Sequence, residues 1–293
     1  MVTVRLAAGS LELDLAPAIG GSIRRFDYVA KDRHQHLLRA ASEDANDVLA
    51  MASFPLVPFA NRIRGGRFEC DGVTIALTPN LPSDPSPLHG QGWLGVWEVE
   101  ASDTRTARLR FVHEGGEWPW HYEAWQDFAL DEGGLTLTLG CRNLSPRPMP
   151  CGLAQHPYFP CDAATIIDLN VETAWTVDAD TLPVEQVEPT GRYEVRDRQI
   201  CGTDLDNSFE GWSGTADIRW RSDAMALRMS SPDASRFQIY SPQGQGYFAA
   251  EPVQNTVAAL NMPQHRWQAM GIAMLAQGES RMMRMRFEVF DTD

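Results

Sequence analysis

The sequence predicts an all-β fold, read as one domain spanning residues 1–293, and three observations carry that reading. The dominant hydrophobic period is two. Turn dipeptides punctuate the alternating runs. No amphipathic helix longer than about three turns, the length of a typical helix, can be traced anywhere.

The elements follow in order. "VTVRL" and "SLELDLA" open the chain as two alternating strands. Residues 40–50, "AASEDANDVLA", predict one short helix. Asp71-Gly72 inside "RFECDGVTIAL" predicts a hairpin, because that dipeptide tolerates the left-handed backbone a two-residue turn needs. "ARLRFVHE" and "GLTLTLGCRN" are further strands, the second entered through Gly133-Gly134. "RFQIYS" ends at the turn residues Pro242-Gln243-Gly244. In "MRMRFEVF", Met283, Met285, Phe287 and Val289 share one face, while Arg284, Arg286 and Glu288 take the other. With no 20–50-residue repeat and no low-complexity linker, the pattern predicts two packed, mainly antiparallel sheets.

Composition narrows the function. The chain carries 25 Lys+Arg against 39 Asp+Glu, a formal net charge of −14. Nucleic acid and anionic membrane surfaces both require a basic face, so neither is expected as a partner. The same balance disfavours highly phosphorylated substrates. Five cysteines occur, at 70, 141, 151, 161 and 201, with no CxxC pair. They read as free, mostly buried thiols in a reducing compartment. "MVTVRLAAGSLELDLAP" alternates like a strand and lacks the continuous apolar core of a signal peptide. A cytoplasmic protein is expected. Oligomeric state is not readable.

Five segments carry side chains suited to chemistry. In "FPLVPFANRIRGGRFECDG", Arg62 follows an apolar stretch, where its planar fork can offer two parallel donors to a diol; a surface carboxylate would serve it equally well. In "SPLHGQGWLGVWEV", His89 sits in a Gly/Pro-rich loop ahead of Trp93 and Trp97. The tryptophans read as core. His89 is either a satisfied loop histidine or a donor to a sugar. In "GLAQHPYF", Pro157 favours an extended His156, pointing into a concave face or bonded to backbone. In "LDNSFEGW", Asp206 is either an Asx-turn residue of a loop or an acceptor of substrate hydroxyls. In "YFAAEPVQN", Glu251 follows two small residues in an apolar run. A carboxylate there is costly unless paired or used, which makes it the best general-base candidate; otherwise it lies at a strand end with its head in water.

Metal is not expected. Cys151 and Cys161 flank His156 symmetrically, but C-x4-H-x4-C matches no zinc spacing. His34 and His36 of "HQH" would share one strand face without a third ligand nearby. Walker-type and nucleophile-elbow signatures are absent from the sequence.

Taken together and in order, these segments resemble the aldose 1-epimerase, or galactose mutarotase-like, family. "NRIRGGRF" is similar to its Asn-Arg-Ile-x-x-Gly-x-Phe motif, "LHG" to its Leu-His-Gly loop and "HPYF" to its catalytic-histidine strand. "VDADTLPVEQVEPTG" resembles its segment ending in Pro-Thr-Gly, "LDNSF" its Asp-containing loop and "EPVQN" its catalytic-glutamate strand. The resemblance implies a β-supersandwich and a cofactor-free reaction on a small sugar. It also implies roles: Glu251 as the base on the anomeric hydroxyl, His156 as the acid on the ring oxygen, and Arg62, His89 and Asp206 as holders of hydroxyls. Such chemistry expects one group charged as base and one protonated as acid. The sequence departs from galactose-specific members after Glu251, where "PVQNTVAALNMP" lacks a Gln-Xaa-Pro-Asp run, and after His89, where no Asp-Lys follows. The sugar is therefore unassigned. Three other readings stay open: a hexose-6-phosphate 1-epimerase with Arg64 and Arg67 at a basic rim, an inverting glycosidase using Asp206 and Glu251, and a non-catalytic sugar-binding module.

Overall fold

A computed structural model of the protein describes residues 3–220 and 225–291. The first strands build an antiparallel sheet of four: Val4–Ala8, Leu11–Ala16, Ser22–Ala30 and Arg33–His36, in that order. Alternation decides its two faces. Leu6 lies opposite Leu13, and Leu13 opposite Phe26, all fully buried in the core. The other face is charged, with Arg5 opposite Asp14 and Asp14 opposite Arg25.

Two larger sheets follow, with nine and eight strands among the described residues, their ladders antiparallel. The nine-stranded sheet is built around the last strand, Ser280–Asp291, which pairs with Gly134–Asn143 on one side and Met225–Ser230 on the other. Its period-two pattern is realised: Met283, Met285 and Phe287 are buried, and Arg284 and Glu288 are exposed. The eight-stranded sheet contains Leu205–Glu210, Arg236–Ser241 and Tyr247–Val253 as successive neighbours. One cluster of buried apolar side chains runs from Val4 to Phe287 and joins the sheets. The sequence predicted two sheets; three large ones are found, because the N-terminal strands pair among themselves rather than extending a neighbour.

The turn chemistry behaves as its residues dictate. Asp71 and Gly72 both have positive φ, 52° and 76°, and link Arg67–Cys70 to Val73–Ala76. The expected helix at 40–50 does not form. Only Val48–Ala50 makes a 3₁₀ turn, with the Asp47 carboxylate accepting from the Leu49 N–H at 2.8 Å. Ser42, Asp44 and Asp47 bond locally and so compete with helical pairing. The Arg24 guanidinium donates to the carbonyls of Ser42, Glu43 and Ala45, which a helix would have needed.

The expectation of free thiols fails for two of the five cysteines. Cys161 and Cys201 form a disulfide, with Cα atoms 5.6 Å apart across 40 residues of sequence. Pairing at that separation depends on the sheets that fold the two segments together, which no local spacing reveals. Cys70, Cys141 and Cys151 are free and buried. Among the described residues, no helix is long and apolar enough to cross a membrane, a statement about helices alone.

Candidate active site

Arg62, His89, His156, Asp206 and Glu251 come from distant parts of the chain and line one cleft of ≈ 370 Å³. Antiparallel register explains how three of them meet. Gln238 lies opposite Glu251 on one neighbour and opposite Ser208 on the other, while Asp206 lies opposite Tyr240. Alternation puts Asp206, Ser208, Gln238, Tyr240 and Glu251 on the same face. His156 sits in the gap between the short strands Ala154–Gln155 and Tyr158–Pro160. Both pair with the Glu251 strand, through Ala154 to Val253 and Tyr158 to Ala249. The histidine is thereby held across from the carboxylate.

His156 Nε2 lies 3.3 Å from Glu251 Oε1, with side-chain exposures of 10% and 2%. The other polar atoms of the two groups, His156 Nδ1 and Glu251 Oε2, are buried and have no partner among the described residues. Phe54 fixes the imidazole twice over. Its carbonyl accepts from the His156 backbone N–H at 3.0 Å, and its ring stacks on the imidazole at 4.7 Å. Burial pushes Glu251 well above the usual carboxylate value, reinforced by the negative Asp206, with Arg62 pulling the other way. Burial likewise pushes His156 down to about 3. These directions run opposite to the expected division into charged base and protonated acid. Desolvation penalises both charged forms, so burial alone favours a neutral carboxyl beside a neutral imidazole. The total is still one proton on the pair.

His89 and Asn61 hold each other in an uncommon conformation. Both have positive φ, 61° and 63°. The Asn61 N–H donates to His89 Nδ1, and the His89 N–H donates to the Asn61 carbonyl, each at 3.1 Å. Such left-handed non-glycine residues persist only where surrounding structure over-determines them. Accepting at Nδ1 requires the proton on Nε2 in a neutral ring, and burial pushes the His89 pKa well down, which keeps it neutral. His89 thus offers the cleft an uncharged donor. The next residue must be glycine: a Cβ on Gly90 would lie 2.2 Å from the Val57 carbonyl oxygen.

Arg62 does pair with carboxylates, but they are cleft residues. Its Nε donates to Asp84 Oδ2 at 2.8 Å, and its Nη2 lies 3.6 Å from Asp206 Oδ2. Asp206 was expected in a loop and is found in the strand Leu205–Glu210. Its carboxylate accepts from Gln238 Nε2 at 2.8 Å; burial raises its pKa, while the Arg62 charge opposes that shift. Trp93 and Trp97 are buried, as predicted, with indole N–H groups donating to the Leu88 and Gly92 carbonyls. Trp93 also presents an edge to His89 along the cleft wall.

Sequence reasoning missed Asp84, Gln238, Tyr158 and Tyr247, all of which line the cleft. Gln238 was detectable, since it shares a strand face with Tyr240 in the alternating "RFQIYS". Asp84 gave no signal within "SDPSP". Of the two arginines that a hexose-6-phosphate reading would place at the rim, Arg64 is tied to Asp178 at 3.1 Å, and neither Arg64 nor Arg67 lines the cleft.

Large antiparallel sheets carrying such a cleft define a galactose mutarotase-like β-supersandwich. The sequence profile of the family described as aldose 1-epimerase matches residues 3–288, and the chain belongs to that family. It is 31% identical over 299 residues to the protein YphB of Escherichia coli (strain K12), covering 99% of each chain. It superposes on a crystal structure from Escherichia coli K12 with a TM-score of 0.88, at 29% identity and 99% coverage of each chain. It also superposes on a galactose mutarotase-like protein from Clostridium acetobutylicum, with a TM-score of 0.85 at 19% identity, covering 98% of this chain and 95% of that one.

Proposed function

We propose that the protein is an aldose 1-epimerase that interconverts the α and β anomers of a free, uncharged aldose. The observation that carries this reading is the desolvated His156–Glu251 pair, 3.3 Å apart, whose remaining polar atoms find no partner among the described residues. A buried acceptor and a buried ring nitrogen left unbonded are costly unless a ligand uses the site.

The reaction balances on that pair. Glu251 takes the proton of the anomeric hydroxyl as His156 delivers its Nε2 proton to the ring oxygen. The C1–O5 bond breaks, O1 becomes a carbonyl oxygen, and the C1–C2 bond rotates. Closure from the other face of the carbonyl returns the proton from the C5 hydroxyl to His156 and the Glu251 proton to O1. The reactive arrangement is the charged one, reached from the neutral pair by moving its single proton from Glu251 to His156, and ring opening restores the neutral pair. Burial favours the neutral pair, so the cleft lowers the relative cost of the ring-opened state. Arg62, neutral His89 and Asp206 supply donors and an acceptor for the remaining hydroxyls. No metal or organic cofactor enters these steps.

The uncharged substrate rests on the local charges. Arg62 faces Asp84 and Asp206, and Arg64 is tied to Asp178. A phosphate would meet two carboxylates around one guanidinium. A glycosidase or a sugar-binding module would leave the His156 contact with Glu251 without a task. Polarimetry on freshly dissolved α-galactose, α-glucose, arabinose and fucose tests the reading. Acceleration over buffer is expected for at least one sugar; none on any sugar or sugar phosphate overturns it.

A further inference from the structure

We propose that Asp27, His34 and His36 form a surface site for a divalent transition-metal ion of the zinc class. The strand Arg33–His36 itself offers no third ligand beside the two histidines. The hairpin supplies one: Asp27 lies directly opposite His36, and Val29 lies opposite His34. Residues 27, 34 and 36 therefore share one face of the sheet. One nitrogen of each histidine and one Asp27 oxygen all lie within 4.8 Å of one another.

The three residues divide the work of a metal site. The Asp27 side chain is fully buried, and the two imidazoles are about half exposed, at 53% and 48%. The carboxylate is anchored, because Arg25 holds Oδ2 at 2.9 Å. Its other oxygen, Oδ1, faces His36 Nδ1 at 2.8 Å, and His34 Nε2 lies 3.1 Å from Oδ2. Ligand atoms on one zinc ion sit about 3.3–3.5 Å apart, given bond lengths near 2.1 Å. Half-exposed rings can turn to take up that spacing while the buried carboxylate stays in place. Two imidazoles and one carboxylate leave a fourth position for water and match borderline ions better than calcium or magnesium.

Charge points the same way. On this face Arg25 contacts Glu12, Asp14 and Asp27, and Arg5 contacts Asp14. Three carboxylates thus face two guanidiniums, an excess of one negative charge that a bound cation offsets.

Untagged protein, dialysed against a chelator, is titrated with Co²⁺ and followed by its visible absorbance, with Zn²⁺ as competitor. One ion per chain is expected. His34→Gln and His36→Gln should each remove the signal while keeping the wild-type melting temperature and turnover. His156→Asn should leave the signal intact, which separates this site from the cleft histidines. Absence of Co²⁺ absorbance in wild type, its survival in both hairpin variants, or its loss in His156→Asn overturns the proposal.

Discussion

His156 and Glu251 share one contact, 3.3 Å from Nε2 to Oε1, and the remaining side-chain polar atoms of both have no partner among the described residues. Each is thereby exposed to mutation in a specific way. A general acid or base contributes roughly 10²–10⁴-fold. Glu251→Gln and His156→Asn should each lose turnover by about that factor. The double variant should lose much less than the product of the two, since the groups act as a unit. A Glu251→Gln protein that folds and turns over near the wild-type rate would remove Glu251 as the base and make Asp206 the next carboxylate to test.

The pH–rate profile should be broad. The working pair holds one proton. Adding a second charges buried His156, and removing the last charges buried Glu251; burial resists both. The acid limb of kcat/KM should therefore fall well below 6.5 and the alkaline limb well above 4.5, with a flat region between. A profile bending near 6.5 would mean that the imidazole titrates as if in water.

Stability gives an independent readout of the same groups. His156 is pushed down from 6.5 to about 3, so the folded chain binds fewer protons there than the unfolded one. Its contribution is fully present above 6.5 and is lost as pH falls toward about 3. Melting temperatures of His156→Asn should flatten over that window relative to wild type. Glu251 runs the other way: its pKa is raised, so its favourable contribution holds below the ordinary value and fades with rising pH. Glu251→Gln should consequently melt higher than wild type at neutral pH, even as its rate collapses. A lower melting temperature there would contradict the burial argument.

Arg62 should report on binding. It reaches Asp84 and Asp206 while lining the cleft. A hydrogen bond to a charged group contributes about 1.5–3 kcal/mol, so Arg62→Ala should raise KM roughly 10- to 100-fold in addition to any loss in kcat. Asp84→Asn keeps an acceptor for Nε and should cost less in the same direction. Equal KM values for Arg62→Ala and wild type would exclude Arg62 from sugar contact.

Substrate charge is testable by comparing glucose with glucose 6-phosphate. Asp84 and Asp206 around Arg62 should make the phosphate the poorer substrate at low salt, with the gap narrowing as salt screens the repulsion. A preference for the phosphate that fades with salt would show a basic rim and reverse the assignment.

Much of this architecture was legible as period-two patterning, because inward and outward faces are written residue by residue, as in Met283 to Val289. Glu251 was legible because a carboxylate in an apolar run needs a reason to be there, and Arg62, His89, His156 and Asp206 were legible through short motifs whose order along the chain resembles one family. What stayed hidden depended on long-range pairing. Asp84 becomes a cleft residue only through Arg62, 22 positions earlier. Cys161 meets Cys201 only after the sheets assemble. Asp27 completes the histidine pair only through hairpin register. The helix expected over 40–50 failed because Arg24, on a strand of its own, took the carbonyls a helix would have used.

The last strand, Ser280–Asp291, also has a kinetic consequence. Its partners begin at Gly134 and Met225, so the centre of the nine-stranded sheet cannot zip until nearly the whole chain has been made. Loop-closure entropy is spent before these distant pairings return anything, which places the protein among slow folders. The cleft is worse placed still, since it waits on segments from Arg62 to Glu251 at once. On refolding from denaturant, far-ultraviolet strand signal should recover ahead of catalytic activity, and a chain shortened before residue 280 should gain hairpins yet never a working cleft.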